Sequence, residues 1–229
     1  MRLIDWSRAS DDLWEHGFAK LGRVMSVSEC RTLRAMYEDD SRFRSRIEML
    51  RYRFGKGEYK YFRYPFPDIV QELRTTFYAG LAPVARRWME ALSLPLEYPT
   101  ELEQFLQICH DANQWRPTPL LLRYREGDYN RLHQDIYGAV VFPFQVITCL
   151  SKEGEEFTGG ELLLVEQQPR AQSIGNAIRM EQGESVVVTT RYRPAKGAKG
   201  YYRSNLKHGV SKMLSGERYT LGIIFHDGE

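Results

Sequence analysis

The stretch Arg123-Tyr124-Arg125-Glu126-Gly127-Asp128-Tyr129-Asn130-Arg131-Leu132-His133-Gln134-Asp135 decides how the rest of the chain is read. It leaves the apolar run Leu120–Tyr124, passes a turn residue at Gly127 and ends on a histidine and a carboxylate two positions apart. Residues i and i+2 of an extended chain point to the same face, so His133 and Asp135 can both reach one metal ion. Taken alone, the pair is weak evidence and reads more readily as a solvated loop pair.

Two later pieces sharpen it. His208 stands in Asn205-Leu206-Lys207-His208-Gly209-Val210, which reads as the end of a strand. Arg218 opens the run Arg218-Tyr219-Thr220-Leu221-Gly222-Ile223-Ile224-Phe225 after a Ser215-Gly216 turn. Two histidines and a carboxylate are the facial triad of non-haem Fe(II) oxygenases, which leaves metal positions open for a chelating 2-oxo acid and for dioxygen. The far carboxylate of such an acid needs a cation; Arg218 offers a planar fork, and Thr220, on the same strand face, offers a hydroxyl. Individually, His208 reads as a core histidine, Arg218 as a strand-end cation and Tyr124 as core; the order of the pieces favours chemistry. The pairs His110-Asp111 and His226-Asp227 read as local or surface pairs rather than further ligands.

Around these motifs the texture divides near Pro117. The first 117 residues read as mostly helical support. Ser26 with Glu29 predicts a capping box, and Thr100 with Glu103 a second. A longer helix starts at Asp68 and should bend or restart at Pro83. Arg51–Phe54 and Glu58–Tyr64 flank Gly55-Lys56-Gly57 as a hairpin. After Pro117, the runs Leu120–Tyr124, Val140–Leu150, Glu161–Val165, Glu184–Thr190 and Arg218–Phe225 are β-branched or aromatic and bounded by Gly, Pro and Ser, which predicts a sandwich or barrel. The expectation is a mainly β, α+β chain: one domain over 1–229, with a sandwich or barrel at 118–227 that the resemblance given below makes a double-stranded β-helix (jelly roll).

Composition sets outer limits. With 229 residues, 42% hydrophobic and 27% charged, the chain belongs with folded globular proteins. No apolar run approaches the ~18–20 residues of a membrane span. The charged N-terminus does not read as a secretory signal, and Cys30, Cys109 and Cys149 are too scattered for a disulfide framework or zinc site. A cytoplasmic location is expected. Net charge is only +2, but arginine outnumbers lysine 24 to 8.

The stretch 123–135 resembles the metal motif of the 2-oxoglutarate/Fe(II)-dependent oxygenases, and is most similar to that of the alkylation-repair dioxygenases. The later pieces keep the family's order: Gly183-Glu184-Ser185-Val186-Val187-Val188, His208-Gly209, then Arg218-Tyr219-Thr220-Leu221. Phe157-Thr158-Gly159-Gly160-Glu161-Leu162 resembles a strand opening of prolyl-hydroxylase-like members, and the whole pattern is similar to a bacterial group of oxygenases presumed to act on damaged nucleic acid. The resemblance implies a double-stranded β-helix with Fe(II) held by His133, Asp135 and His208. It implies 2-oxoglutarate held by Arg218, Thr220 and Tyr124, and oxidation of a substrate C–H bond with release of succinate and CO2. One position departs: alkylation-repair enzymes carry a second arginine six places after the first, and here that residue is Ile224.

Two basic segments bear on substrate. Ser41–Tyr64 holds eight cations against two acids, interleaved with seven aromatic residues, a mixture suited to phosphates and stacked bases. It is expected to border the site as a lid, with Arg51, Arg53 and Lys60 on the substrate. Val186–Lys212 holds seven cations and no acid, and should lie near His208. Both also read as solvated faces. Nucleic acid or nucleotide is the expected substrate class, with a protein side chain or small metabolite as the alternative and a non-catalytic β-barrel binding module as the third.

Overall fold

A computed structural model describes residues 3–95 and 98–229. Among these residues four α-helices, α1 (Trp6–His16), α2 (Val27–Met36), α3 (Asp68–Ala91) and α4 (Leu102–Asp111), support two antiparallel sheets. The larger sheet runs β1 (Phe18–Arg23), β11 (Glu184–Thr189), β7 (Phe144–Cys149), β14 (Met213–Ile224), β5 (Leu120–Arg125), β4 (Glu58–Phe62), β2 (Phe43–Glu48), with β8 (Phe157–Gly159) on the first part of β14. The smaller runs β10 (Ile174–Ile178), β9 (Leu162–Gln167), β13 (Gly200–Val210), β6 (Tyr129–His133), β3 (Gly55–Lys56), with β12 (Tyr192–Gly197) paired only to β13. The strand pattern predicts a sandwich or barrel, and this is the double-stranded β-helix that the resemblance implies.

Period-2 alternation sorts the larger sheet's side chains into two cores. Leu121, Val146, Val187, Leu221 and Ile223 join Phe77, Leu81, Ala85 and Trp88 of α3 on the helical face. Tyr124, Val186 and Val188 face the other way, into the space between the sheets, where Leu162, Leu164 and Val210 meet them. The same alternation turns Arg218, Thr220 and Gly222 toward the intersheet space.

Several local expectations change. The Ser26–Glu29 capping box forms, with Ser26 Oγ accepting from the Glu29 amide. Thr100 does not cap α4: Glu101 takes the cap position without a side-chain bond, because Tyr78 and Tyr98 tie the preceding loop through the Pro99 and Val141 carbonyls. Pro83 does not restart α3, which runs unbroken for 24 residues. Ala82, Val84, Ala85 and Trp88 are buried beside it, and that burial outweighs one lost backbone bond.

The expected 51–64 hairpin is also redrawn. β4 pairs with β2, not with Arg51–Phe54, which lies in and after a 3₁₀ turn. Gly55-Lys56 crosses to the smaller sheet, where Gly55 lies so close to β6 that a Cβ there would stand 2.3 Å from the Tyr129 carbonyl oxygen. The first 117 residues therefore supply strands to both sheets, where the sequence reads mostly as helical support.

Candidate active site

β13 and β6 pair with His208 directly opposite His133, which brings their ring centres to 4.3 Å. Gly209 permits this approach: a Cβ would lie 2.7 Å from the Asn130 carbonyl oxygen. Asp135 follows β6 and turns back between the two rings, with Oδ1 3.5 Å from His133 Nε2 and Oδ2 3.2 Å from His208 Nε2. One ligand atom from each residue lies within 4.8 Å of the others.

Neighbours fix each group's orientation. His133 Nδ1–H donates to the Arg131 carbonyl at 2.7 Å, which leaves Nε2 free to accept a metal. Tyr137 donates to Asp135 Oδ1 at 2.6 Å, and Gln145 Nε2 lies 3.2 Å from His208 Nε2. Burial pushes the Asp135 carboxyl up, but His133, His208 and Tyr137 together outweigh it and hold its pKa below the usual carboxylate range. Burial, then the adjacent His208, holds His133 below its ordinary value. An ionised carboxylate beside a deprotonated imidazole is the form in which these residues bind a divalent metal.

The triad opens into a cavity of ≈ 460 Å³ between the sheets. On the opposite wall Arg218 is 2% exposed, and its Nη1 has no hydrogen-bond partner. A buried guanidinium nitrogen left unpaired is costly unless an anion completes it. Arg218 stands opposite Tyr124 in the β14–β5 register, with its guanidinium 5.9 Å from that ring's centre. Thr220 lines the same wall. Burial keeps Tyr124 protonated, and its hydroxyl accepts from Asn130 at 3.4 Å. All six sequence-predicted site residues thus line one cavity.

Tyr137 and Gln145 escaped the sequence reading. Gln145 left a trace, as the polar residue inside Phe144-Gln145-Val146-Ile147. Tyr137 lies in irregular chain, where periodicity has nothing to say. The departing position, Ile224, is 1% exposed and packs with Tyr61 and Leu120. The two remaining His-Asp pairs are not local surface pairs. His110 stacks on Trp115 and contacts Asp227, not Asp111, while buried Asp227 pairs with Arg74 at 2.9 Å.

The Ser41–Tyr64 segment meets the cavity through Arg53, Phe54 and Tyr59 alone. Lys60, expected on the substrate, is 4% exposed, bonded to Asp40 and the Tyr37 carbonyl. Arg51 pairs with Glu48, and Arg46 with Glu58. Much of the segment's charge is therefore spent within the protein.

Residues 57–228 match the family model of Oxygenase-NA, described as an oxygenase catalysing oxidative methylation of damaged DNA, and the chain belongs to this family. It is an oxygenase by family, with the metal-competent His133-Asp135-His208 triad in place. Two uncharacterized proteins of Mycobacterium tuberculosis, from strains CDC 1551/Oshkosh and ATCC 25618/H37Rv, are each 46% identical over 163 residues, 71% of this chain and 70% of theirs. Among solved structures, a Pseudomonas putida prolyl-4-hydroxylase aligns over 98% of this chain and 99% of its own at 14% identity and TM-score 0.57. A Burkholderia pseudomallei oxidoreductase of the 2OG-Fe(II) oxygenase family aligns over 100% and 95% at 15% identity and TM-score 0.54. The viral collagen prolyl hydroxylase of Paramecium bursaria Chlorella virus-1 aligns over 92% and 96% at 13% identity and TM-score 0.54. These likenesses establish the shared fold. Among the described residues no helix is long and apolar enough to cross a membrane.

Proposed function

We propose that the chain oxidises a C–H bond of a nucleic-acid or nucleotide substrate, with Fe(II) on His133, Asp135 and His208 and 2-oxoglutarate gripped by Arg218, Thr220 and Tyr124. The observation that carries this is the cavity's polarity: a metal-competent triad on one wall faces an unpaired, buried guanidinium on the other. When bound, iron and 2-oxoglutarate supply the oxidising chemistry, with succinate and CO2 as co-products. The protein's own part is positional. Arg218 completes its hydrogen bonds on the distal carboxylate, Tyr124 stays neutral as a donor, and Tyr137 with the Arg131 carbonyl orients two of the triad's members. Leu122, Ile147, Leu162 and Val210 give the cavity an aliphatic lining beside these polar groups.

The nucleic-acid reading draws support from the family's description and from Arg53, Phe54 and Arg131 at the cavity. For an N-methylated base, hydroxylation of the methyl carbon and loss of formaldehyde give demethylation. The test is succinate release with methylated oligonucleotides, peptides and small metabolites, beside Asp135→Ala. Stimulation by a methylated oligonucleotide, lost in the variant, supports the reading. Stimulation by a neutral peptide alone overturns the substrate class, and normal 2-oxoglutarate turnover by Asp135→Ala overturns the metal assignment.

A further inference from the structure

The β12–β13 hairpin carries charge that the active site does not use. Residues directly opposite in an antiparallel pair share a face. Tyr192 opposes Asn205 and Lys196 opposes Tyr201, so Tyr192, Lys196, Tyr201, Arg203 and Lys207 stand on one side of the hairpin. Arg191 joins them at its root: the Arg191 and Arg203 guanidiniums lie 5.7 and 5.1 Å from the centre of the Tyr192 ring. Arg191, Lys196, Arg203 and Lys207 are all exposed, and among the described residues none forms an ion pair. Arg193, on the opposite face of the same hairpin, is half-buried and pairs with Glu166 at 3.0 Å.

Lysine on a free edge strand commonly serves to prevent edge pairing. That accounts for Lys196 on β12. It does not account for Arg203 and Lys207, which stand on β13, where Lys207 has β9 beside it. Nor does it account for the tyrosines: Tyr201 meets Trp14 of α1 edge-on at 5.5 Å, while Tyr192 sits between two of the cations. The hairpin's root is also fastened to the metal motif. Gln134, between His133 and Asp135, donates to the Arg191 and Leu206 carbonyls, both at 2.8 Å. Lys207 immediately precedes His208, with its side chain on the outer face of β13 and the histidine on the cavity face.

We infer that this face of the β12–β13 hairpin is a docking strip for the sugar-phosphate backbone of a nucleic-acid strand, and that it leads a target nucleotide to the cavity. The inference rests on the nucleic-acid reading above. Cations hold phosphates, and the interleaved rings offer faces for bases without reading sequence. An acidic peptide would use the cations and leave the rings idle.

The test replaces Arg191, Lys196, Arg203 and Lys207 together by Gln. A second variant, Arg191→Lys, Lys196→Arg, Arg203→Lys and Lys207→Arg, keeps the charge. Binding of a fluorescent, methylated single-stranded DNA oligonucleotide is followed by anisotropy across a salt series, with melting temperature as the check on folding. The Gln variant should bind more weakly, its log–log salt slope shallower by ~0.7 for each lost phosphate contact, while the charge-keeping variant retains the wild-type slope. Substrate-free 2-oxoglutarate decay and oxidation of a mononucleotide bearing the same methyl group should match wild type in both. If the Gln variant binds and oxidises the oligonucleotide as wild type does, with the same slope, the strip is wrong and the nucleic-acid reading stands. If wild type neither binds nor oxidises any nucleic acid and an acidic peptide is oxidised instead, both fall.

Discussion

Replacing Arg218 by Met removes the guanidinium and keeps most of the side chain's length. Arg218 is 2% exposed, and no protein group accepts from its Nη1. Met keeps the packing against Tyr124 and Phe157, so the ligand-free melting temperature should hold. Binding of 2-oxoglutarate should suffer instead. Hydrogen bonds to a charged group are worth ~1.5–3 kcal/mol, which converts to about 10- to 150-fold in Kd. At a 2-oxoglutarate concentration 100 times the wild-type Kd, the ligand stabilises the wild type by ~2.7 kcal/mol. A variant weakened about 100-fold gains only ~0.4 kcal/mol at the same concentration. Thermal denaturation of protein loaded with a redox-inert divalent metal, with and without 2-oxoglutarate, reads both effects, and calorimetric metal titration supplies the control. An equal 2-oxoglutarate-induced shift in both proteins would refute the assignment of Arg218. So would a loss of metal affinity as large as the loss of 2-oxoglutarate affinity.

Tyr137→Phe deletes the 2.6 Å bond to Asp135 Oδ1, and metal affinity should fall by roughly 10- to 100-fold in anaerobic calorimetry, with the fold unchanged. His226 is fully buried, and burial pulls its pKa down to about 4 from the ordinary 6.5. The unfolded chain therefore takes up a proton near pH 6.5 that the folded protein refuses until about 4, and stability falls as pH drops through that window. The loss between pH 7 and 5 should be ~2 kcal/mol in urea denaturation, and His226→Asn should remove it. Gly80→Ala places a Cβ 2.1 Å from the Trp6 ring where α3 meets α1. It should destabilise the protein by ~1–3 kcal/mol in denaturant titration, whereas a wild-type midpoint would mean α1 can shift freely.

Whatever repeats along the chain or keeps a fixed order is legible without the fold. Alternation in Glu184–Thr189 and Arg218–Ile224 fixes which side chains face the helices and which face the space between the sheets, because the strand period is set by covalent geometry. The spacing of His133 and Asp135 is likewise local, so the metal motif was legible before any packing was known. Ser26 and Glu29 are a local matter too, and their capping box formed as read. What depended on distant partners was not legible. Only tertiary pairing sets His208 opposite His133, sends Gly55-Lys56 to the smaller sheet and gives β4 its place between β2 and β5. Burial decides that Pro83 leaves α3 continuous and that Asp227 pairs with Arg74 from α3. The charge of residues 41–64 shows the difference most plainly. In the sequence its eight cations look equivalent, but folding supplies Lys60 with Asp40, Arg46 with Glu58 and Arg51 with Glu48. A cation's availability depends on which carboxylates the fold brings within a few ångströms, and composition carries no record of that distance.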